Sequence, residues 1–546
     1  MNDAIRMIAA GRSACFLAIG LLLTVTSAQA TCFTARPPGT PYELLAHAKK
    51  GVTVEELQVA LREVSKRMDL QATLSCGPRL ENSGACLVAY PGSWQDPDEF
   101  VAHLMEKLPA LKEEDTRIDV ITKFTTNAPI RIEIAAIPAS ATGPGKKPRT
   151  KRRGLHEDDY YSYQTELQDL GAEPAWAGAR PSPNTVTAVI DTGVDLNNPD
   201  FVSQLKTGTD IPCPAGNCVG GPRDQAGHGT NMAGYIVADH DHKGITGVAW
   251  NTRAMSIASG ENGVTDDFRA SLAIEQAINK NVAIINASWY STCKLSAVID
   301  QIELAKARNI LFVGTAGNQR SDIDDPNHAS DSYPAQDHHD NMLIAMGHGT
   351  SESQYDIADS SFGERSVDLA APGTGFTTMI CEGDNCHTAG AISSTSAATA
   401  YVSGAAALLK SFYPTWGYDE LIWRIKGTVI KDSIFTNKNS SGGRLSLVNM
   451  MRPVRILSLT GNGEVNRKKD QEISWETAFR SDMCPKISVD AQVDGGALKP
   501  ILVDAPTADK SALADLSQLP SGSKVVFSAR CSALHPALSI EYPLIN

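Results

Sequence analysis

Residues 393–409 read SSTSAATAYVSGAAALL, a cluster of hydroxyl residues that runs directly into small apolar ones. Serine and threonine are good N-caps, so this stretch predicts a helix that begins near Thr395 or Ser396. Its apolar side chains lie nearly all round, which is typical of a buried helix. Lys410 suits the C-terminal end, and Pro414 stops the helix. Ser396 is therefore predicted at the tip of a core helix, where free N–H groups favour the negative charge of an oxyanion.

Two further stretches carry groups that could activate this serine. Residues 189–195 read VIDTGVD and end an apolar strand on Asp191, and residues 227–234 read GHGTNMAG and place His228 at the start of another small-residue helix. Each residue alone has a structural alternative, because a helix cap, a strand-end carboxylate or a buried histidine is common. Together, in the order Asp, His, Ser, they predict a nucleophilic triad.

All three stretches resemble the signature segments of the subtilisin-like serine peptidases, the subtilases, which share that chain order. The resemblance covers roughly residues 160–450. It implies that Ser396 attacks the scissile carbonyl and that His228 takes the serine proton and later protonates the leaving amine. It also implies that Asp191 orients the imidazole and stabilises it when charged.

Two more segments match the family pattern. Residues 314–318 read GTAGN, and the resemblance implies that Asn318 donates its side-chain amide to the oxyanion, beside the backbone N–H of the nucleophile. A turn asparagine is the structural alternative. Residues 286–290 read NASWY, and the resemblance implies that this strand, which includes Ser288, pairs with the extended substrate backbone.

Several positions depart from the family pattern. Trp289 and Tyr290 stand where the family usually has Leu-Gly, and the tyrosine is expected to narrow the pocket for the residue before the cleaved bond. We therefore predict a preference for small or unusual residues there. The other departures suggest altered packing beneath the nucleophile, and none removes a chemical group that the mechanism requires. They are Ser394, Ala397, Ala400, Tyr401 and Asn231.

The fold class predicted for residues 154–452 is α/β. Short apolar runs alternate with helical patterns, which argues for a mostly parallel sheet covered by helices on both faces. The resemblance implies the subtilisin-like three-layer fold. The predicted strands are 186–190, 282–285, 310–313, 342–346 and 367–370, and the predicted helices include 268–278 and 295–307.

Residues 1–30 resemble a secretory signal peptide with a basic start, a short apolar run and an A-x-A site. Removing Cys15 with it leaves ten of the 11 cysteines, an even number that suits an oxidising compartment. The chain is therefore expected to be secreted or periplasmic. Plausible disulfide pairs, which the sequence does not fix, are Cys76 with Cys86, Cys213 with Cys218, Cys381 with Cys386 and Cys484 with Cys531.

Residues 31–153 are interpreted as a candidate propeptide with a basic linker. The first part, to about residue 140, predicts an α+β unit with helices after Thr53 and over 98–108 and a strand over 130–134. Residues 139–153 are rich in Gly, Pro, Lys and Arg, which indicates an exposed linker open to proteolysis. In subtilases a propeptide precedes the catalytic domain and inhibits it until removed. The alternative is a permanent accessory domain.

Residues 453–546 predict a small β-rich domain of short strands between turns. Its role, whether binding a substrate or bracing the catalytic domain, stays open.

The predicted partners are polypeptide substrates. A net charge of −13 disfavours nucleic acid, and no segment after the signal is apolar enough to span a bilayer. We expect no required cofactor and predict no metal site. Asp200 and Asp241 align with positions that help bind calcium in some subtilases, but an acidic surface loop explains them slightly better.

The function expected from these observations is that of a secreted serine endopeptidase, made as a zymogen, that acts through an acyl-enzyme. One alternative is a pseudoprotease that keeps the fold without turnover. A serine esterase of the α/β-hydrolase type is a second alternative, but it requires a G-x-S-x-G segment and the order Ser, acid, His, which this chain lacks.

Overall fold

The computed structural model describes residues 42–131, 161–206, 224–459 and 470–545, with shorter gaps inside these ranges. The expected signal peptide, the basic linker and the pair Cys213 and Cys218 lie outside the described residues. Among the helices that are described, none is long and apolar enough to cross a membrane.

The N-terminal unit is a four-stranded antiparallel sheet with two helices. Its elements are β1 (Tyr42–Ala48), α1 (Val54–Arg67), β2 (Thr73–Cys76), β3 (Ala85–Tyr90), α2 (Pro97–Glu114), β4 (Ile121–Thr126) and, outside this sheet, β5 (Pro129–Arg131). The strand order is β2-β3-β1-β4. Helix α1 begins at the predicted capping box, in which Thr53 and Glu56 exchange hydrogen bonds. Its apolar face, with Leu57, Leu61 and Val64, is buried against the sheet.

A nine-stranded sheet forms the centre of the molecule. Its strands are β6 (Val186–Asp191), β7 (Leu205–Lys206), β8 (Arg253–Ala258), β10 (Ile284–Ala287), β11 (Leu311–Thr315), β12 (Met342–His348), β13 (Leu369–Pro372), β18 (Ile430–Lys431) and β19 (Gly443–Arg444). The order is β18-β19-β13-β12-β11-β10-β6-β8-β7, and only the edge pair β18–β19 is antiparallel. The parallel pairings confirm the predicted mostly parallel sheet.

Helices cover both faces of this sheet. They are α3 (Thr165–Asp169), α4 (Ala172–Trp176), α5 (His228–Val237), α6 (Asp267–Asn279), α7 (Ser296–Ala307), α8 (Thr395–Phe412), α9 (Tyr418–Gly427) and α10 (Leu447–Met451). Alternate side chains of each strand enter two separate cores. Val189 and Val313 lie in the core with α5 and α8, whereas Ile190 and Phe312 lie in the core with α6 and α7. This arrangement confirms the three-layer α/β fold.

Four short hairpin strands and β9 (Val264–Asp266) lie outside the central sheet. The hairpin strands are β14 (Thr374–Phe376), β15 (Met379–Glu382), β16 (Asn385–Thr388) and β17 (Ala391–Ser393), paired as β14–β17 and β15–β16. Strand β17 delivers the chain directly into α8, which starts at Thr395 as predicted and is buried through Leu409.

The described residues of the C-terminal segment form strands and one short 3-10 turn. The strands are β20 (Val454–Leu459), β21 (Gln471–Thr477), β22 (Lys486–Val493), β23 (Lys499–Pro506), β24 (Ser511–Ala514), β25 (Lys524–Cys531) and β26 (Ile540–Ile545). They form the antiparallel sheets β20-β21-β24 and β23-β22-β25-β26. These strands agree with the β-rich segment of short strands predicted from the sequence.

Cysteine placement agrees with three of the predicted pairs. Cys484 and Cys531 form a disulfide bond between the start of β22 and the end of β25. Cys76 faces Cys86 across β2 and β3, and Cys381 faces Cys386 across β15 and β16. Cys86 and Cys293 each take part in a disulfide bond.

Gly404 allows α8 to approach the turn after α5. A Cβ atom at this glycine would lie 2.8 Å from Cβ of Val248, closer than two carbon atoms tolerate. We expect Gly404→Ala to lower the free energy of unfolding by about 1–3 kcal/mol through overpacking. In a helix with free space the same change would stabilise by about 0.5–1 kcal/mol, so the sign tests the contact. Urea unfolding followed by tryptophan fluorescence measures it, with Ser411→Ala near the end of α8 as the control; an unchanged or higher midpoint for Gly404→Ala would contradict the prediction.

Candidate active site

All five predicted site residues lie at the carboxyl edge of the parallel sheet. Asp191 is the last residue of β6, Ser288 directly follows β10, and Asn318 follows β11 by three residues. His228 is the first residue of α5 and Ser396 the second of α8. Parallel strands have their carboxyl ends on the same side of the sheet, so residues that follow different strands in the sequence lie close together in space.

The helices of His228 and Ser396 pack side by side. Tyr235 of α5 stacks on Tyr401 of α8 with ring centroids 5.2 Å apart. Both helices therefore present their N-terminal turns at the same edge.

Asp191 and His228 form a buried hydrogen bond. Nδ1 of the imidazole lies 2.7 Å from Oδ1 of the carboxylate, and both side chains are almost completely buried. A carboxylate accepts, so Nδ1 carries the proton and Nε2 is the nitrogen left to accept one. The backbone N–H of Thr192 donates to the same carboxylate oxygen at 2.7 Å, which fixes the orientation of the acid.

Asp224, which the sequence reasoning missed, holds the start of the histidine helix. Its Oδ1 accepts from Thr192 Oγ1 at 2.8 Å and from the backbone N–H groups of Ala226 and Gly227 at 3.0 and 2.9 Å. Its Oδ2 accepts from both the backbone N–H and Oγ1 of Thr230, at 2.9 and 2.7 Å. An aspartate four residues before the histidine, at a predicted helix start, was the sequence signal for this cap.

The Ser396 hydroxyl donates to the backbone oxygen of Ser288 at 3.2 Å, rather than to His228. In return, the Ser288 hydroxyl donates to the backbone oxygen of Ser396 at 3.1 Å. A buried chain supports this pair, because Ser403 Oγ donates to Asn286 Oδ1 at 2.8 Å and Asn286 Nδ2 donates to Ser288 Oγ at 3.0 Å. The start of α8 is thus fixed to the segment after β10.

The carboxamide of Asn318 is oriented by Thr395. The backbone N–H and Oγ1 of Thr395 both donate to Asn318 Oδ1, at 2.9 and 2.7 Å. An N–H group can only donate, so the atom that faces it must be the carboxamide oxygen. The other end of the carboxamide is therefore the NH₂ group, which is the donor that an oxyanion would require.

Trp289 and Tyr290, the two residues after Ser288 that differ from the family pattern, are both buried. Trp289 Nε1 donates to the backbone oxygen of Ile190 at 2.9 Å and so ties this segment to β6. The Tyr290 ring lies against Gly317, where an added Cβ would be 3.4 Å from Cδ2 of the tyrosine. Gly317 immediately precedes Asn318, so the ring occupies space beside the expected oxyanion donor.

Tyr401, which also differs from the family pattern, connects α8 to α3. Its hydroxyl donates to Glu166 Oε1 at 3.2 Å. Burial raises the pKa of Tyr401 and of Tyr235 well above the ordinary value, and the Glu166 carboxylate raises both pKa values further. Both tyrosines therefore stay neutral, and the pair is a packed, hydrogen-bonded support for the nucleophile helix.

Asp200, one of the two residues aligned with calcium positions, is fully buried, and its Oδ2 accepts the backbone N–H of Ile245 at 3.1 Å. The described part of the chain contains no group of three or more His, Cys, Asp or Glu side chains that could hold a metal ion.

The N-terminal unit contacts the domain of the central sheet at β9 and at the start of α6. Strand β5 pairs antiparallel with β9. Asn127 Oδ1 accepts the backbone N–H of Phe268 at 3.1 Å, and the Ala128 carbonyl accepts that of Asp267 at 2.9 Å, so both satisfy free donors at the start of α6.

A second contact of the N-terminal unit reaches α7. His47 Nδ1 lies 3.1 Å from Asp300 Oδ2, and its Nε2 lies 2.8 Å from Thr125 Oγ1. Burial lowers the pKa of His47, although the Asp300 carboxylate opposes this effect, and Lys123 lies 3.7 Å from the same carboxylate.

Comparison with known proteins identifies the catalytic domain. A family model described as "Subtilase family" matches residues 182–463, just over half of the chain. The "Major intracellular serine protease" of Bacillus subtilis is 30% identical over 248 residues, which are 45% of this chain and 74% of that protein. "Subtilisin" of Bacillus pumilus is 29% identical over 246 residues, which are 45% of this chain and 83% of that protein.

A search of solved structures also returned a protease of Pseudoalteromonas arctica. It is 21% identical, covers 55% of this chain and 99% of its own, and superimposes with a TM-score of 0.46.

The chain belongs to the subtilase family. It is accordingly a serine-type endopeptidase, a hydrolase that acts on polypeptides, and a divergent member of its family.

Proposed function

We propose that this protein is an exported serine endopeptidase in which Asp191, His228 and Ser396 are the catalytic triad. The observation that carries the proposal is the buried 2.7 Å contact between Asp191 and His228 at the sheet edge where α8 presents Ser396. This contact sets the tautomer that a general base requires, with Nε2 available to accept the serine proton.

The proposed reaction proceeds in two halves. Ser396 Oγ attacks the scissile carbonyl while His228 Nε2 takes the hydroxyl proton, and the resulting oxyanion is stabilised by the Asn318 NH₂ and the backbone N–H of Ser396. His228 then protonates the leaving amine as the C–N bond breaks, which leaves an acyl-enzyme. Water, deprotonated by His228, hydrolyses the ester and returns Ser396 to its starting state.

Substrate binding is assigned to the segment that contains Ser288. In this proposal the substrate backbone pairs with the segment after β10 as an added strand. The Ser396 hydroxyl must then leave the Ser288 carbonyl and turn toward the imidazole, which requires a change of its side-chain rotamer. No cofactor is required, and we propose no structural calcium.

We further propose the domain division expected from the sequence. Residues 1–30 are the signal, 31–153 the inhibitory propeptide with its linker, 154–452 the catalytic domain and 453–546 an accessory β domain. The signal and the disulfide bonds support a secreted or periplasmic location. The pairing of β5 with β9 and the capping of α6 by the Asn127 segment support an N-terminal unit that blocks the edge of the cleft until it is removed.

A second candidate is a pseudoprotease that binds peptides without cutting them. The observation that favours it is the hydrogen bond from Ser396 to Ser288, which directs the hydroxyl away from the base. The buried acid–base pair and the oriented Asn318 favour the active enzyme.

Reaction with a fluorophosphonate probe distinguishes these two candidates. The probe phosphonylates a serine only when its hydroxyl is activated, so we expect the matured protein to label at Ser396 and to hydrolyse casein. Ser396→Ala should lose both signals, and His228→Ala should lower both by at least about 10³-fold. Ser411→Ala, at the other end of the same helix, should label like the wild type. A folded wild-type protein from which the N-terminal unit has been removed, and which still neither labels nor cuts casein, would establish the pseudoprotease.

Sequencing the N-terminus of the exported protein tests the zymogen. If the N-terminal unit is an inhibitor removed by the enzyme itself, the active wild type should begin within residues 132–160, and Ser396→Ala should accumulate with a start near Thr31. Ser411→Ala should mature normally. An active wild-type protein that still begins near Thr31 would make the N-terminal unit a permanent domain.

A peptide library tests the role assigned to Tyr290. The wild type should prefer small residues before the cleaved bond, because the tyrosine ring occupies that pocket. We expect Tyr290→Gly to raise kcat/KM for peptides with phenylalanine there by about 10- to 100-fold, in line with the gains that a few methylene groups bring in a pocket. Tyr290→Phe keeps the ring and should keep the wild-type preference. Strong wild-type cleavage after large aromatic residues would contradict this assignment.

A further inference from the structure

A chain of buried hydroxyl groups leads from β11 to the carboxamide of Asn318. Thr315, the last residue of β11, donates from Oγ1 to Thr395 Oγ1 at 2.6 Å, and Thr395 Oγ1 donates to Asn318 Oδ1 at 2.7 Å. The backbone N–H of Gly317 donates to Thr315 Oγ1 at 3.2 Å. Both threonine side chains are almost completely buried, so these groups bond to one another rather than to solvent.

The direction of every bond in this chain is fixed by one donor. The backbone N–H of Thr395 donates to Asn318 at 2.9 Å, which identifies the atom at that point as the carboxamide oxygen. The oxygen cannot donate, so the Thr395 hydroxyl must donate to it and can only accept from Thr315. The Thr315 hydroxyl therefore donates, and its lone pair accepts from Gly317. No other arrangement of protons satisfies all four contacts.

This arrangement affects the NH₂ group at the far end of the carboxamide. Successive hydrogen bonds in one direction polarise each other, and the last one draws electron density onto the carboxamide oxygen. Through amide resonance the nitrogen becomes more positive and its N–H groups become stronger donors. The same bonds also hold the carboxamide plane in one orientation, which lowers the reorganisation needed when an oxyanion forms.

We propose that Thr315 is a positioning residue for the oxyanion donor, acting on Asn318 through Thr395. This inference rests on the proposed function and adds a residue that contacts no substrate atom. A buried hydroxyl at a β-branched strand position costs free energy unless it is hydrogen-bonded, and valine would have filled the same volume. The contacts of the hydroxyl with Thr395 and Gly317 explain why the position is polar.

The test compares Thr315→Val, which removes the hydroxyl at nearly constant shape, with Thr315→Ser, which retains it. The full-length chain is expressed, allowed to mature until its gel pattern is constant, and assayed with a peptide substrate and with a peptide aldehyde, which forms an oxyanion on the serine. Thr428→Val is the matched control, because Thr428 is equally buried and its hydroxyl donates to the Arg424 carbonyl in α9.

We expect Thr315→Val to lower kcat about 5-fold with KM within about 2-fold, which is the fold-change of one neutral hydrogen bond felt in the transition state. Affinity for the aldehyde should fall by the same factor. Thr315→Ser should restore both values, and Thr428→Val should change neither. The pKa on the acid limb of the kcat/KM profile should not move in any variant, because the hydroxyl chain does not touch His228.

Three results would overturn the proposal. The first is a Thr315→Val enzyme with wild-type kcat and aldehyde affinity. The second is a loss that appears in KM alone or equally in Thr428→Val, either of which would indicate general destabilisation. The third is a wild type without fluorophosphonate labelling, which would identify the proposed function itself as the failure. If Thr315→Val does not fold, the comparison is made between Thr315→Ser and Thr315→Ala. The proposal then requires a higher kcat for Thr315→Ser than for Thr315→Ala, with equal KM values.

Discussion

The hydrogen bond between Asp191 and His228 is the contact on which the rest of the site depends. It joins the end of a central strand to the start of a helix, and it lies where nearly all water is excluded. A carboxylate in such a place is costly unless it is hydrogen-bonded, and the imidazole and the backbone of Thr192 provide those bonds. The Asp224 cap then fixes the helix that carries the imidazole, so the acid and the base keep one geometry without support from a ligand.

The second half of the site obeys the same constraint. Ser396 and Asn318 are separated by 78 positions, yet the Thr395 backbone joins them because α8 begins directly above the end of β11. The proposed nucleophile, the proposed oxyanion donor and the proposed substrate-binding segment thus lie at strand ends and helix starts. One departure from the family pattern is accommodated within this packing, because Tyr401 of α8 packs on Tyr235 and bonds to Glu166.

Much of this architecture could be predicted from the sequence, since strong local patterns carry it. The apolar runs of β6, β11 and β12 and the hydroxyl cluster before α8 are short-range signals, and they gave the three-layer fold and the start of the nucleophile helix. Strand β1 was missed because its partners β3 and β4 lie far along the chain and its sequence does not alternate. Strand β2 was missed although it pairs with the nearby β3. Thr315 was missed because its partner Thr395 lies 80 positions further along the chain. Asp224 was missed although its position just before a predicted helix start was a local signal for a cap. The rotamer of Ser396 likewise depends on a carbonyl 108 positions away.

The pairing of β5 with β9 has a consequence for the aggregation of the full-length chain. Strand β9 lies outside the central sheet. Without β5, its row of main-chain N–H and C=O groups could pair with any extended chain. While β5 lies there, that row is closed to other copies of the protein. A covalently attached strand that occupies it therefore acts as a built-in safeguard against aggregation, in addition to any restraint on cutting.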